Sequence, residues 1–182
     1  LPFVASPGVN MLVWTTTPWT LPANQAAAVN PDVTYAEVIV GLAHVVMAEA
    51  RVEEVMRGHG RVIETFPGSE LIGREYRPPF PYLPGAHRVV GADFVTTEDG
   101  TVIVHIAPAF GEDDMQVARD NDLDAPNPVD RQGRFTEEVG EFAGRFVKEA
   151  DVDLIRDLDK RNVLFREDPY EHSYPHCWRC GT

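Results

Sequence analysis

The pattern of apolar and polar positions predicts a chain that is rich in short β-strands. Alternating or β-branched apolar residues favour strands, which we expect at residues 10–17, 26–29, 34–40, 43–48, 61–66, 88–96 and 101–106. Asn30-Pro31-Asp32 is typical of a turn between the second and third of these strands. Glu98-Asp99-Gly100 predicts a hairpin turn that joins the last two.

The same pattern predicts three helices, at residues 49–57, 111–121 and 150–162. In the last of them, Val152, Ile155 and Leu158 share one face. The proline-rich residues 67–87 are expected to cross the molecule in an irregular, packed conformation. Many short strands with few helices indicate a β-rich α+β fold, an irregular β-barrel core with peripheral helices.

Composition and charge narrow the possible classes of function. A chain of 182 residues with 43% hydrophobic and 25% charged residues suits one globular domain. The net charge of −13 argues against an extensive nucleic-acid surface but permits contact with one or two nucleotides at a strand end. No apolar run is long enough for a membrane span, and no leader precedes the first strand, so we expect a cytoplasmic protein without membrane contact.

The most unusual stretch is W-T-T-T-P-W-T-L-P-A-N at residues 14–24. Thr15, Thr16 and Thr17 are β-branched and are expected to extend the first strand, which Pro18 then ends because it lacks an N–H group. Three adjacent hydroxyls would then lie at a strand end. The simpler interpretation is an edge strand and a proline-kinked loop in which Trp19 fills the core.

A second stretch, V-H-I-A-P-A-F-G-E-D-D at residues 104–114, combines a strand end with a helix start. His105 is expected to face away from its two strand neighbours, and Pro108 to break the strand. Glu112, Asp113 and Asp114 follow in the first helical turn, where the helix dipole alone favours carboxylates. Alternatively, a carboxylate beside an imidazole there would bind a cationic group of a small ligand.

Both cysteines of the chain, Cys177 and Cys180, form a C-x-x-C pair. This spacing supplies half of a tetrahedral zinc site or a redox pair. So few cysteines indicate a reducing compartment rather than a disulfide framework.

The motifs taken together resemble the editing domain of the isoleucyl-tRNA synthetases, the connective-peptide insertion of these class I synthetases. The resemblance includes H-S-Y-P-H-C-W-R-C at residues 172–180 and so spans essentially the whole chain. The related valyl and leucyl enzymes usually place Arg-Pro after the threonines, whereas here Pro18 and Trp19 follow Thr17. The resemblance implies the class I editing-domain fold, with residues 1–182 as a single domain and residues 1–12 and 165–182 as connections to an absent synthetic body.

The resemblance also implies an activity, the hydrolysis of misacylated valyl-tRNA for isoleucine, with valyl-adenylate as a further candidate substrate. Asp114 would bind the α-ammonium group, Asp113 being the competing carboxylate, while Thr15, Thr16 and Thr17 would bind the terminal adenosine and the attacking water. His105 would form the wall that excludes isoleucine. The remaining candidate substrate-binding residues are Trp14, Pro18, Trp19, Ala107 and Phe110.

Partners and cofactors follow from the same resemblance. The expected partners are the tRNA acceptor end, the valyl group and the rest of the synthetase in cis, and the isolated domain is expected to be a monomer. Editing would need no cofactor; ATP would serve only the absent synthetic domain. Zinc on Cys177 and Cys180 would need ligands from that body, so we expect an incomplete site in this chain. The alternatives are a valyl- or leucyl-type editing domain and a non-catalytic module that docks the tRNA acceptor end.

Overall fold

The computed structural model describes residues 1–168, which form two β-sheets with helices at their margins. The strands are β1 Val9–Met11, β2 Ala26–Val29, β3 Thr34–Val40, β4 Ala43–Ala48, β5 Arg61–Pro67, β6 Arg88–Gly91 and β7 Val104–Ile106. The first sheet has the order β1-β4-β3-β5 and the second β6-β2-β7. The predicted β-rich class with peripheral helices is confirmed. The predicted barrel is not, because these two sheets remain separate and open.

The first sheet is built around the β3–β4 hairpin. The two strands pair antiparallel from Tyr35 with Ala48 to Val40 with Ala43, and Gly41 supplies the left-handed turn conformation between them. β1 adds in parallel to β4, while β5 pairs antiparallel with β3 and forms the other edge. The apolar alternation predicted the bounds of β2, β3 and β4 correctly.

The second sheet places β2 between two partners. β2 pairs in parallel with β6 and antiparallel with β7, so that Ala27 lies opposite His105. The predicted hairpin between residues 88–96 and 101–106 is therefore wrong, because β2 lies between the two strands. A turn signal reports local geometry, but the choice of strand partner depends on tertiary packing.

The first strand is shorter than its sequence predicts. β1 ends at Met11, and Trp14 makes only an isolated bridge to Val104. Thr15 then accepts a hydrogen bond on its hydroxyl from the backbone N–H of Thr17, at 3.1 Å. Threonine hydroxyls compete in this way with sheet pairing, so the threonines form a turn instead of a strand.

The helices are α1 Val52–Met56, α2 Glu112–Asp120 and α3 Val147–Lys160, with 3₁₀ segments at Pro18–Ala23, Glu49–Arg51, Gly68–Glu70 and Glu137–Phe142. Helix α3 begins three residues earlier than predicted. Its buried face consists of Val147, Ala150, Leu154 and Leu158, whereas Val152 is 55% exposed. None of the helices within residues 1–168 is long and apolar enough to cross a membrane.

The main core lies between the two sheets. It contains Met11 and Val46 from the first sheet, Ala28 and Ile106 from the second, and Phe3 from the preceding segment. Residues 1–12 thus contribute both β1 and buried side chains to the folded unit. A second core forms where helix α3 covers the 3₁₀ segment Pro18–Ala23 and the aromatic residues around it.

Helix α3 also touches the segment Pro18–Ala23 through a carboxylate. Asp151 accepts a hydrogen bond from the backbone of Trp19, and burial raises the pKa of Asp151 to about 6. Within residues 1–168, its buried Oδ1 atom has no hydrogen-bond partner. The folded state therefore binds a proton on this group more tightly than the unfolded state does, and stability falls as the pH rises from about 4 to about 6.

We predict that Asp151→Asn raises the melting temperature at pH 7.5, because the amide can still accept from Trp19 and has no charge to desolvate. The gain should shrink at pH 5, where the wild-type carboxyl is largely protonated. Asp153→Asn on the same helix is the control, because Arg145 and Arg156 lower the pKa of that exposed carboxylate. Thermal melts at both pH values test this, and equal gains at both pH values would contradict the assignment to Asp151.

Candidate functional site

A turn formed by Thr15, Thr16 and Thr17 lies beside the end of strand β7. The Thr17 hydroxyl is 3.4 Å from the hydroxyls of both Thr15 and Thr20, so three hydroxyls form one cluster. Pro18 follows at the first position of the 3₁₀ segment, where its missing N–H group costs nothing. The local sequence therefore produces a stiff turn with its polar side chains on one side.

His105 is buried at the centre of a polar network. Its Nε2 atom is 3.0 Å from the Thr20 hydroxyl, and its Nδ1 atom is 2.8 Å from Nδ2 of Asn24. The Tyr76 hydroxyl donates to Oδ1 of Asn24 at 2.6 Å. Burial lowers the pKa of His105 to about 4, and a hydrogen bond to Thr20 opposes this only in part. The ring is therefore neutral at physiological pH.

Asp114 lies in the first turn of helix α2 and is half-buried. Its Oδ2 atom accepts a hydrogen bond from the backbone N–H of Ala107, at 2.8 Å. Burial raises the pKa of Asp114, and the charge of Asp113 adds to this, whereas the Ala107 N–H group lowers it. The carboxylate thus closes the loop between β7 and α2 through Oδ2.

One cavity of about 270 Å³ brings most of the predicted residues together. Its walls contain Trp14, Thr15, Thr16, Thr17, Thr20, Val104, His105, Ala107, Phe110, Gly111 and Asp114. Asp113 is exposed and is not part of these walls, so of the two competing carboxylates only Asp114 faces the cavity. The cavity is thus lined by threonine hydroxyls, one carboxylate and one imidazole.

Besides Asp113, two further predicted substrate-binding residues lie outside this cavity. Trp19 packs edge-on against Phe110, with ring centroids 4.9 Å apart, and lies partly buried against the core under helix α3. Pro18 lines a neighbouring cavity of about 430 Å³, which shares Trp14, Thr15, Thr16 and His105 with the first. Trp19 therefore contacts a lining residue of the cavity from the side of the core, as expected if its role is to fill the core.

The sequence interpretation missed three polar residues of the network: Thr20, Asn24 and Tyr76. Thr20 and Asn24 belong to the stretch that drew attention, but nothing in their spacing shows that they face strand β7. Tyr76 lies in the irregular crossing at residues 67–87, where periodicity gives no information about direction. Buried polar groups need partners, so an asparagine two residues before the apolar strand β2 was the one available signal.

The predicted half-site for zinc cannot be compared with this geometry, because Cys177 and Cys180 lie outside the described residues. Within residues 1–168, His, Cys, Asp and Glu side chains form no group of three that could hold a metal ion.

We predict that Thr20→Val lowers the free energy of unfolding by about 1–3 kcal/mol, because it leaves the Nε2 atom of buried His105 without its partner. The Thr20 hydroxyl also donates to the Thr17 carbonyl at 2.8 Å, which would be lost as well. Thr34→Val at an exposed strand position makes the same chemical change and should cost little. Urea unfolding of both variants is the measurement, and equal small effects would contradict a stabilising role for Thr20.

Comparisons with known proteins relate the chain to one group of enzymes. It is 48% identical over 187 aligned residues to isoleucine–tRNA ligase of Mycobacterium tuberculosis, which covers 95% of this chain and 18% of the relative. It is 50% identical over 176 residues to the isoleucine–tRNA ligase of Streptomyces avermitilis, covering 94% of this chain and 17% of that relative. The chain thus spans less than a fifth of these relatives. No protein-family profile matches it.

Solved structures give the fold. A leucyl-tRNA synthetase connective-peptide domain superposes with a TM-score of 0.69 at 20% identity, over 91% of this chain and 87% of that one. The editing domain of cytosolic leucyl-tRNA synthetase from P. falciparum superposes with a TM-score of 0.63 at 11% identity, over 84% and 77%. We conclude that the chain is homologous to one segment of the isoleucine–tRNA ligases and has the editing-domain fold of class I aminoacyl-tRNA synthetases.

Proposed function

We propose that this chain hydrolyses the ester bond of valyl-tRNA for isoleucine, with valyl-adenylate as a further candidate substrate. The observation that carries the proposal is the convergence of the threonine hydroxyls, His105 and Asp114 on one cavity of about 270 Å³. The similarity to isoleucine–tRNA ligases over almost the whole chain supports the choice of reaction class.

Asp114 is the residue proposed to bind the α-ammonium group of the amino acid. Its Oδ2 atom is already held by the Ala107 N–H group, so the direction of the carboxylate is set before a ligand arrives. A hydrogen bond between an ammonium and a carboxylate is among the stronger polar contacts in proteins. The bound cation would also lower the pKa of Asp114 again, because an opposite charge stabilises the ionised form.

The hydrolysis itself needs little from the protein. An aminoacyl ester is an activated bond, so a water molecule held near its carbonyl carbon gains mainly from proximity and orientation. The hydroxyls of Thr15, Thr16 and Thr17 are proposed to hold that water and the ribose of the terminal adenosine. A threonine hydroxyl without an adjacent base is a poor nucleophile, so no covalent intermediate is proposed.

The selectivity of the site is proposed to depend on size. A single apolar pocket discriminates one methylene by only about 1–3 kcal/mol, a limit for which isoleucyl synthetases are the usual example. A second, smaller pocket can then accept valine and exclude isoleucine. Buried His105 lies in the wall of the cavity and cannot move aside without breaking its contacts to Thr20 and Asn24.

The tRNA and the rest of the synthetase are proposed as partners in the parent enzyme. The neighbouring cavity of about 430 Å³ shares the threonine wall and is within the size range of small-ligand sites. We propose it for the terminal nucleoside of the acceptor end. A net charge of −13 gives the chain little attraction for the remainder of the tRNA, which the parent enzyme would bind.

We predict that Asp114→Asn lowers kcat/KM for valyl-tRNA deacylation by about 10- to 100-fold, because hydrogen bonds to charged groups contribute about 1.5–3 kcal/mol. The amide oxygen can still accept from Ala107, so the loop should keep its structure. Deacylation by the 182-residue chain is followed with labelled valyl-tRNA, and circular dichroism checks folding.

Asp113→Ala provides the matched comparison, because this exposed carboxylate lies one residue away and outside the cavity. It should deacylate valyl-tRNA at close to the wild-type rate. Full activity of Asp114→Asn would remove Asp114 from ammonium binding, whereas equal losses in both variants would indicate a general effect of negative charge at the start of helix α2.

We predict that His105→Ala allows the chain to deacylate isoleucyl-tRNA, because the smaller side chain leaves room for the additional methylene. Valyl-tRNA hydrolysis should continue, so the ratio of the two kcat/KM values is the measurement. Threonyl-tRNA is tested in parallel to separate this function from a valyl-type editing site. A variant that still spares isoleucyl-tRNA would show that His105 does not determine size.

A further inference from the structure

Both ring nitrogens of His105 have partners inside the protein. Nε2 lies 3.0 Å from the Thr20 hydroxyl and Nδ1 lies 2.8 Å from Nδ2 of Asn24. A neutral imidazole has one donor and one acceptor nitrogen, and the surroundings decide which is which. Whether Asn24 and Thr20 donate to His105 or accept from it depends on their own other hydrogen bonds. Those hydrogen bonds therefore determine which ring nitrogen of His105 carries the proton.

The orientation of the Asn24 amide follows from a backbone carbonyl. Nδ2 of Asn24 lies 2.9 Å from the carbonyl oxygen of Ala26, which can only accept a hydrogen bond. A turned amide would place two oxygens against each other there. The amide nitrogen therefore faces Ala26 and His105, while Oδ1 accepts from the Tyr76 hydroxyl at 2.6 Å.

This orientation of the Asn24 amide determines the donor and the acceptor in every hydrogen bond of the network. Because Asn24 donates to Nδ1, that nitrogen carries no proton, and the ring proton is on Nε2. Nε2–H then donates to the Thr20 hydroxyl, whose own proton goes to the Thr17 carbonyl at 2.8 Å. Each N–H or O–H hydrogen in the series from Tyr76 to the threonine turn thus has an acceptor, and the two hydrogens of the Asn24 amide have one each, as buried polar networks require.

We propose that Asn24 is the positioning residue that holds His105 as a neutral Nε2–H tautomer, with Tyr76 restraining the Asn24 amide, so that the ring is a wall of the cavity and not a general base. With both nitrogens occupied, the ring atoms left to face the cavity are carbons. The consequence for editing rests on the proposed function, but the tautomer itself does not. The proton of the attacking water would then have to leave by a route other than His105.

The test is nitrogen NMR of the 182-residue chain labelled with ¹⁵N-histidine at neutral pH. The signals of His105 are assigned by their loss in His105→Gln. We expect a protonated Nε2 and an unprotonated Nδ1 in the wild type. A protonated Nδ1, or signals averaged between the two tautomers, would overturn the proposal. This result does not depend on catalysis, so a chain with the expected tautomer and no deacylase activity would refute the proposed function alone.

Asn24→Asp tests the origin of the tautomer. A carboxylate at this position only accepts, so His105 must present an N–H group from Nδ1, and we expect that nitrogen to become protonated in the variant. Retention of the wild-type pattern in a folded Asn24→Asp chain would contradict the role of Asn24.

Tyr76→Phe removes only the hydroxyl that binds Oδ1 of Asn24 and keeps the contacts from Asn24 to Ala26 and His105. We expect an unchanged tautomer, an unchanged KM and a roughly fivefold lower kcat, the effect of one lost buried hydrogen bond. The control is Tyr35→Phe, because that hydroxyl is also buried but donates to the Val102 carbonyl. An equal fall in kcat in both variants would show that Tyr76 acts only through stability.

Discussion

The side chain of Asn24 is the contact on which the arrangement of the site depends. It joins the end of the 3₁₀ segment Pro18–Ala23, the start of strand β2, strand β7 through His105, and the irregular crossing through Tyr76. Asn24, Ala26, Tyr76 and His105 are all buried, so each of their polar atoms must find a partner within the network. A missing partner there lowers the stability of the fold more than the loss of a surface hydrogen bond would. The threonine turn, which would otherwise be a surface loop, is thereby held in one relation to the sheet.

The sequence predicted the parts of the fold that depend on local alternation. Strands β2, β3 and β4 have the predicted bounds because their apolar residues alternate or run continuously against the core. It did not predict which strands pair, because β6 and β7 both bind β2 and neither binds the other. Helix α3 shows the same limit in another form. Ala150 and Leu154 define its buried face, and a small alanine gives only a weak apolar signal.

The candidate site shows a similar division between chemistry and geometry. His105, Asp114 and the three threonines stood out by residue type, and the structure brings them to one cavity. Thr20, Asn24 and Tyr76 could not be assigned, because what gives them importance is a partner far along the chain. Thr20 is 85 residues from His105, and Tyr76 is 52 residues from Asn24. Resemblance to a family therefore identifies the reactive residues of a site more readily than the residues that orient them.

Strand β2 gives the cavity a second determinant that no lining residue reveals. Ala26, Ala27 and Ala28 are fully buried, and Ala27 pairs directly with His105, so their side chains lie on the same face of the sheet. A larger side chain in this strand would displace β7, and with it the imidazole, without touching a ligand. Substitutions in strand β2, which does not line the cavity, could therefore change the width of the cavity. Homologues with identical lining residues need not share the same substrate range.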